Sequence, residues 1–215
     1  MRIFLLFLLA IVLINTSVKA QETNNSSGLV WGLRLGMNWA TIKSDFDDGL
    51  SARTSGVIGV FTRHKLNNSF LVQPEINYTL KGGSSQLPPG FIIRDYRLSF
   101  DFFEFPVLLR YNFGSTSEDR FKPDVFLGPF LAFRLSSTLE AKDISNSEVT
   151  IKEVKSNDYG LAFGTSMGFK IDNVDILIEL RYSLSLTSFD ENIAQPDLKN
   201  AKFRVFSIST GFVIN

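Results

Sequence analysis

The chain has 215 residues, which suits one domain of ordinary size. It contains no cysteine, and this excludes disulfide bonds, zinc–thiolate sites and thiol nucleophiles. Its 22 basic residues balance its 22 acidic residues, so no net charge favours binding to nucleic acid or to acidic substrates.

Residues 1–20 have the features of a secretory signal peptide. Arg2 supplies the positive charge, residues 3–14 form an apolar run, and small residues precede Gln21. The apolar run is too short to span a bilayer as a helix. We therefore expect an exported chain that is cleaved near Gln21 and begins with a short polar leader over residues 21–28. An uncleaved N-terminal anchor is the alternative.

Eight segments of the mature chain alternate apolar and polar residues, and no segment has a convincing helical pattern. This alternation is the period of a β-strand, in which successive side chains point to opposite faces. The segments cover residues 29–42, 54–66, 70–82, 96–113, 123–137, 158–170, 175–186 and 203–215. Eight such segments predict a single all-β domain over residues 29–215.

Two segments depart from simple alternation. Residues 54–66 carry apolar side chains in both phases, so the sequence leaves the facing of this strand open. In residues 96–113, one apolar phase ends at Phe102 and the other begins at Phe103. A shift of one residue within a long strand is typical of a β-bulge. We therefore expect a β-bulge with a phase shift within this strand.

The connections between the segments alternate in length. The first, third, fifth and seventh connections are long, and they cover about residues 43–53, 83–95, 138–157 and 187–202. Every second connection of an up-and-down sheet emerges at the same end. One end therefore carries longer loops, as in outer-membrane barrels with short periplasmic turns and longer external loops.

Alternation alone fits both a soluble barrel with an apolar interior and a membrane barrel with an apolar exterior. The polar phases favour the second. They are rich in small residues, as in the sixth segment with Gly160, Ala162, Gly164, Ser166 and Gly168. Small side chains suit the crowded interior of an eight-stranded barrel. We predict an eight-stranded antiparallel up-and-down transmembrane β-barrel; a soluble ligand-carrying barrel is the alternative.

Aromatic residues of the apolar phases are expected to form girdles at the two membrane edges. Trp31 and Trp39 are eight residues apart, which corresponds to roughly 20 Å along the axis of a tilted barrel. Girdles on both sides of an apolar band about 25 Å tall are typical of these proteins. The predicted girdle residues are Trp31, Trp39, Tyr78, Phe113, Phe169 and Tyr182.

Two consecutive stretches, "FDFFEFPVLLRYNF" (residues 100–113) and "KPDVFLGPFLAFRLSS" (residues 122–137), resemble the core of the PorT-like outer-membrane β-barrel family, which is common in Bacteroidetes. "GLRLGMNWATI" and "FLVQPEINYTLKGG" are similar to the first and third strands of that family. The segment with Glu104 and Pro106 is the most specific part. The resemblance implies an eight-stranded outer-membrane barrel but no single activity. The name-giving member belongs to a protein secretion and maturation pathway.

Seven charged residues fall in the polar phases and are therefore expected inside the barrel: Arg34, Glu75, Glu104, Arg110, Arg134, Glu179 and Arg181. Charges in a small interior must pair, because an unpaired buried ion costs several kcal/mol. Four arginines and three glutamates nearly balance. We predict a plug of salt bridges; a path for protons or small solutes is the alternative.

Other chemistry has little support in the sequence. His64 is the only histidine, and Ser69 is nearby, but no third group completes a catalytic triad. The acidic stretch "DFDDG" lacks the closing glutamate of an EF-hand calcium loop, because that position is Gly56. We expect no enzyme activity, cofactor or metal site. The expected protein is a monomer in the outer membrane, in contact with lipid, with a structural or interaction role and an unidentified envelope partner. A component of a secretion pathway and a small-solute transport barrel are the alternatives.

Overall fold

The computed structural model describes residues 30–43, 50–86, 95–113, 121–142, 147–150, 155–171, 174–188 and 200–214. Its strands are β1 (Val30–Lys43), β2 (Leu50–Lys65), β3 (Phe70–Gln86), β4 (Asp95–Asn112), β5 (Phe121–Lys142), β6 (Ser147–Thr150), β7 (Asn157–Ile171), β8 (Val174–Ser185) and β9 (Lys202–Ile214). In this part of the chain, no helix is long and apolar enough to cross a membrane. The predicted signal peptide, the polar leader and the acidic stretch at residues 45–49 lie outside the described residues.

The strands close into a barrel. Each strand except β6 pairs antiparallel with its neighbours in the order β4-β3-β2-β1-β9-β8-β7-β5, and the pairing of β4 with β5 completes the circle. The first and last strands pair over their whole length, from Trp31 with Ile214 to Lys43 with Lys202. Closure leaves the barrel strands without a free edge. The prediction of an eight-stranded antiparallel up-and-down barrel is confirmed.

The end of the barrel with long connections contains more strand than expected. β3 continues to Gln86, and β5 continues to Lys142, where it pairs with the short strand β6. The prediction of a loop over residues 138–157 is therefore wrong in part. The sequence pattern missed these extensions because alternation requires one apolar face, and a strand can continue by backbone pairing after its apolar face has ended.

The two faces of the wall differ as the alternation indicated. In β1, Trp31 is 59% exposed and Leu33 is 56% exposed, whereas Arg34 is only 4% exposed. The structure also establishes the facing of β2: Val57 and Phe61 point inward, and Ile58 points outward. The outer wall is therefore broadly apolar. An apolar surface of this extent on a folded chain indicates contact with lipid or another apolar environment.

The expected phase shift in β4 is wrong. Phe100 and Phe102 are buried inside the barrel, and inward facing continues without a break to Arg110. The ring centroids of Phe100 and Phe102 lie 5.3 Å and 5.7 Å from that of Phe203 on β9. Phe100, Phe102 and Phe203 therefore belong to an apolar cluster inside the barrel.

The irregularity lies in the neighbouring strand β5. Asp101 pairs with Ser136 and Phe102 pairs with Arg134, so Leu135 is the extra residue. An extra residue of this kind shifts the facing of the strand that carries it. After Leu135, the buried position of β5 is accordingly Ser137.

Leu180 lies on the outer face in the middle of β8 and tests the facing of the wall. Leu180→Arg is expected to lower the free energy of unfolding by about 2 to 4 kcal/mol, because arginine is costly at the bilayer midplane. The measurement is urea unfolding of protein folded into lipid vesicles. Leu186→Arg, beyond the end of the same strand, is the control and should cost about 0 to 1 kcal/mol. Equal losses would contradict the proposed depth of the strand.

Candidate functional site

Glu75 and Arg181 form the ion pair at the centre of the barrel interior. Glu75 lies on β3 and Arg181 on β8, which are four positions apart in the circle of eight strands, so the pair joins opposite walls. Arg181 Nη2 lies 2.7 Å from Glu75 Oε1, and Nη1 lies 2.8 Å from Glu75 Oε2. Two parallel N–H···O bonds are among the strongest arrangements that a guanidinium and a carboxylate can form.

Glu179 extends this pair into a network. It lies two residues before Arg181 on the same strand, and its Oε1 is 2.7 Å from Arg181 Nη2. Glu179 Oε2 lies 3.0 Å from Nη1 of Arg110 on β4. Arg34 on β1 is farther away, at 3.5 Å from Glu75 and 3.6 Å from Glu179, and its Nε donates to Ser209 Oγ. Two carboxylates therefore share three guanidinium groups.

Arg110 is held on every side of its guanidinium. Its Nε and Nη2 donate to Asp124 Oδ1 at 3.1 Å and 2.8 Å, and Nη2 also donates to Ser166 Oγ at 2.7 Å. Its Nη1 donates to Gln73 Oε1 at 3.0 Å, and Ser166 Oγ donates to Asp124 Oδ2. Buried charge is tolerated when its hydrogen-bonding groups are satisfied in this way.

The ring of Phe126 packs against two of these arginines. Its centroid lies 4.5 Å from the Arg110 guanidinium carbon and 5.3 Å from that of Arg181, so both cations contact the ring face. Gly164 on β7 leaves room for the ring, because a Cβ atom there would lie 2.6 Å from Phe126 Cζ. The space that the Phe126 ring needs thus explains why this position of the polar phase is a glycine.

Lys81 forms a second charged group, nearer the end with long connections. Its Nζ lies 2.8 Å from Glu104 Oε2 on β4 and 3.0 Å from Asp158 Oδ2 on β7. Ser185 Oγ donates to the same Asp158 oxygen at 2.8 Å. One ammonium therefore bridges two carboxylates that project from different strands.

Aromatic rings surround this ammonium. The ring centroids of Phe130, Phe102 and Phe203 lie 4.7 Å, 5.0 Å and 5.9 Å from Lys81 Nζ. Rings attract a cation through their faces and exclude water from it. Electrostatic attraction is stronger in such a surrounding, and loss of a partner is correspondingly more costly.

A small cavity lies between the two charged groups and has room for roughly one water molecule. Polar side chains fill the rest of this level. Asn38 Nδ2 donates to Thr79 Oγ1 at 2.8 Å, and Ser207 Oγ donates to Asn38 Oδ1 at 2.8 Å. At the end with short turns, Phe61, Leu177 and Val213 form an apolar cluster. Along the described part of the barrel, the interior is therefore filled by side chains at successive levels.

The seven interior charges predicted from the sequence lie in three different places in the structure. Glu104 lies in the Lys81 group, and five others lie in the Glu75 network: Arg34, Glu75, Arg110, Glu179 and Arg181. Arg134 is only partly buried and lies beside the irregularity in β5, where its Nη1 donates to Ser137 Oγ at 3.0 Å.

The sequence analysis did not single out four charged residues of the interior. Lys81, Asp124 and Asp158 occupy the polar phases of their segments, so a complete reading of those phases would have included them. Arg63 is half-buried on β2, whose facing was open, and its Nε donates to Gln73 Oε1 at 2.7 Å. Among the described residues, four buried cations face five buried anions, and the half-buried Arg63 adds a further cation.

The six predicted girdle residues all lie on the outer face. Three of them, Trp31, Phe113 and Phe169, lie near the short turns. The other three, Trp39, Tyr78 and Tyr182, lie closer than these to the end with long connections. The second set contacts other outer aromatics, with ring centroids 5.6 to 6.0 Å apart. Their contact with the membrane edges stays a prediction.

His64 and Ser69 do not form a recognisable catalytic arrangement. His64 lies on the outer face of β2, and Ser69 lies in the turn that follows, where its N–H donates to Asn67 Oδ1 at 2.9 Å. Within the described ranges, no group of three or more acidic or histidine side chains is placed to hold a metal ion.

Comparison with known proteins gives a family and several similar structures. A family model described as outer membrane protein beta-barrel domain matches residues 19–191. The chain is similar to Neisserial surface protein A, with 15% identity, a TM-score of 0.48, and coverage of 86% of this chain and 96% of that one. It is also similar to OprG from Pseudomonas aeruginosa, with 13% identity, a TM-score of 0.46, and coverage of 89% and 98%.

A third similar structure is Ail, the attachment invasion locus protein of Yersinia pestis, in complex with the heparin analogue sucrose octasulfate. Its identity is 12%, its TM-score is 0.44, and the match covers 86% of this chain and 99% of that one. The comparison with curated proteins finds no match.

Glu75→Ala is expected to lower the free energy of unfolding by about 3 to 5 kcal/mol, because it leaves the buried Arg181 guanidinium without its bidentate partner. Denaturant unfolding in detergent micelles, followed by tryptophan fluorescence, measures this loss. The control is Thr79→Ala, which removes a neutral hydrogen bond on the same inward face and should cost about 1 kcal/mol. A Glu75→Ala protein as stable as the Thr79→Ala protein would contradict the importance of the pair.

Lys81→Met is expected to lower the free energy of unfolding by about 3 to 5 kcal/mol, because Glu104 and Asp158 then lose their shared cation. The triple change Lys81→Met, Glu104→Gln, Asp158→Asn should recover part of this loss by removing both carboxylates. The same unfolding experiment compares the two variants. If the triple variant were less stable than the single one, charge pairing would not be what Lys81 provides.

Proposed function

The chain belongs to the outer membrane protein beta-barrel domain family, and we propose that it acts as a plugged, non-enzymatic barrel with a structural or interaction role at the cell envelope. The family and the fold make it an eight-stranded barrel of the outer membrane, in contact with lipid. The finer role is our proposal. It is carried by one observation, the filling of the interior by ion pairs that join opposite walls.

The plug follows from the sizes and positions of the interior side chains. The Glu75–Arg181 pair crosses the barrel, and Arg110 extends the same level to β4 and β5 through Glu179 and Asp124. The Lys81 group and its rings fill the next level. An eight-stranded barrel has an interior just wide enough for side chains, so these groups leave little continuous water. A small-solute transport barrel would need a water path at the positions that they occupy.

We propose that the long connections face the cell exterior and the short turns face the periplasm. The lengths of the connections support this orientation, because outer-membrane barrels have short periplasmic turns. We also propose that residues 1–20 are removed as a signal peptide and that the mature chain is a monomer. Closure of the sheet by β1 and β9 of one chain supports a monomer, since it needs no partner strand.

A component of a protein secretion or maturation pathway is the second candidate, within the PorT-like branch of these barrels. The resemblance around Glu104 and Pro106 brings this candidate in, because the name-giving member of that family belongs to such a pathway, but the resemblance itself implies no single activity. Crosslinking in native outer membrane, followed by affinity purification, tests this candidate. One reproducible envelope partner would favour it, and recovery of the barrel alone would favour a solitary role.

Purified protein in planar bilayers is expected to show no large, stable open state, because the ion pairs and rings occlude the interior. Glu75→Ala combined with Arg181→Ala should increase ion leak, since it removes both sides of the central pair without leaving an unpaired charge between them. Single-channel recording measures both results.

The control for leak is Asp47→Ala combined with Asp48→Ala, which changes two acidic residues of the first long connection. This variant should conduct no more than the unmodified protein. A persistent porin-like conductance in the unmodified protein would overturn the plug and place transport ahead of interaction.

A further inference from the structure

Three basic side chains lie together on the outer wall, where β1 and β9 meet at the end with long connections. Lys43 pairs directly with Lys202, and Arg204 lies two residues farther along β9, opposite Thr41. All three belong to the outward phase of their strands; Lys202 and Arg204 are exposed, and Lys43 is half-buried. We call this set the basic seam.

Lys202 and Arg204 are two exposed cations on the same outward face of β9. Opposite side chains on antiparallel strands have Cβ atoms about 4.5 to 5.5 Å apart, so Lys43 lies beside Lys202. A side chain two residues along the same face is roughly 7 Å away, so the Arg204 guanidinium can reach the same point. An anion bound at this point would be attracted by Lys202 and Arg204 together. Phosphate is the matching anion, because arginine binds it with two parallel hydrogen bonds.

The position of the basic seam indicates which phosphate is bound. Trp39 and Phe206 follow directly on the same outer face, with ring centroids 5.8 Å apart. Leu184 pairs with Arg204 from the other side. Amphipathic aromatic side chains on the wall of a membrane barrel occur at the level of the lipid headgroups. The three cations therefore lie at the headgroup level, directly beyond the apolar wall.

We propose that the basic seam binds the phosphate of a lipid headgroup in the surrounding leaflet, with the acyl chains of that lipid lying along Trp39 and Phe206. This assignment rests on the proposed outer-membrane function. It commits to a lipid rather than to free phosphate, because a free ion would gain nothing from the adjacent aromatic and leucine surface. Lys43, Lys202 and Arg204 supply the charge, and the wall below them supplies the apolar contact.

The end of the barrel with short turns provides a control. Lys65 on β2 and Lys170 on β7 are also exposed, but they belong to the inward phase of their strands, near the short turns and on strands that are not neighbours. Their register partners, Leu71 and Asp175, belong to the inward phase as well, so neither lysine lies on the lipid-facing wall. Changing these two lysines removes the same net charge as changing two residues of the seam.

The test uses the full mature chain folded in detergent micelles. Bis-phosphorylated lipid A, or its dephosphorylated form, is added as the probe, and native mass spectrometry measures the bound fraction. The unmodified protein and the Lys65→Gln, Lys170→Gln variant should retain lipid A alike. The Lys202→Gln, Arg204→Gln variant should bind it roughly tenfold or more weakly, because each basic residue near a lipid headgroup contributes about a factor of five. Dephosphorylated lipid A should bind weakly to all three.

Equal retention of lipid A by the seam variant and the control variant would overturn the assignment, as would equal binding of lipid A and its dephosphorylated form to the unmodified protein. The second comparison needs no variant, so it holds even if a variant folds poorly. Inorganic phosphate is added as a separate arm, and complete displacement of lipid A at equal concentration would overturn the lipid as the source. The binding experiment in micelles does not depend on the orientation of the barrel in a membrane. The plug is tested separately by conductance, so a negative result for lipid binding would not contradict the plugged barrel.

Discussion

The Glu75–Arg181 pair is the interaction on which the rest of the interior depends. It joins opposite walls of the barrel, and its two short hydrogen bonds fix the position of each charge. Glu179, Arg110 and Arg34 then have defined partners at the same level. Because a buried charge without a partner costs several kcal/mol, each member constrains the next. The charged interior consequently specifies which side chains must be partners, whereas an apolar filling would not.

The interior combines ion pairing and aromatic packing around the same cations. Aromatic rings lie against cations at both charged levels, with Phe126 at the arginines and Phe130 at Lys81. The rings fill volume and exclude water, while the carboxylates balance charge. Each level therefore satisfies packing and electrostatics with the same few side chains. Small residues such as Gly164 make this possible by leaving space on the wall behind the rings.

Much of the fold could be predicted from the sequence because alternation reports directly which side chains share a face. It failed for β2, where inward Val57 and Phe61 and outward Ile58 are all apolar. It also failed at Phe102, because the rule that apolar residues face lipid does not hold where the interior is itself aromatic. The polar phases contained the interior charges, but their partners depend on strand order and register, which bring β3 and β8 together only in the closed barrel.

The two residues of the central pair are far apart in the sequence, and this separation constrains how the barrel assembles. Glu75 and Arg181 are 106 positions apart, and the bond from Arg34 to Ser209 joins residues 175 positions apart. Hairpins of neighbouring strands can form early, but contacts between distant segments must await loop closure and slow the overall reaction. An open sheet with all hairpins formed would still expose its charged face to water, where those charges are well solvated. The last strand to dock therefore completes the sheet and the charge network in one cooperative step, so that partly closed intermediates gain little of the final stability.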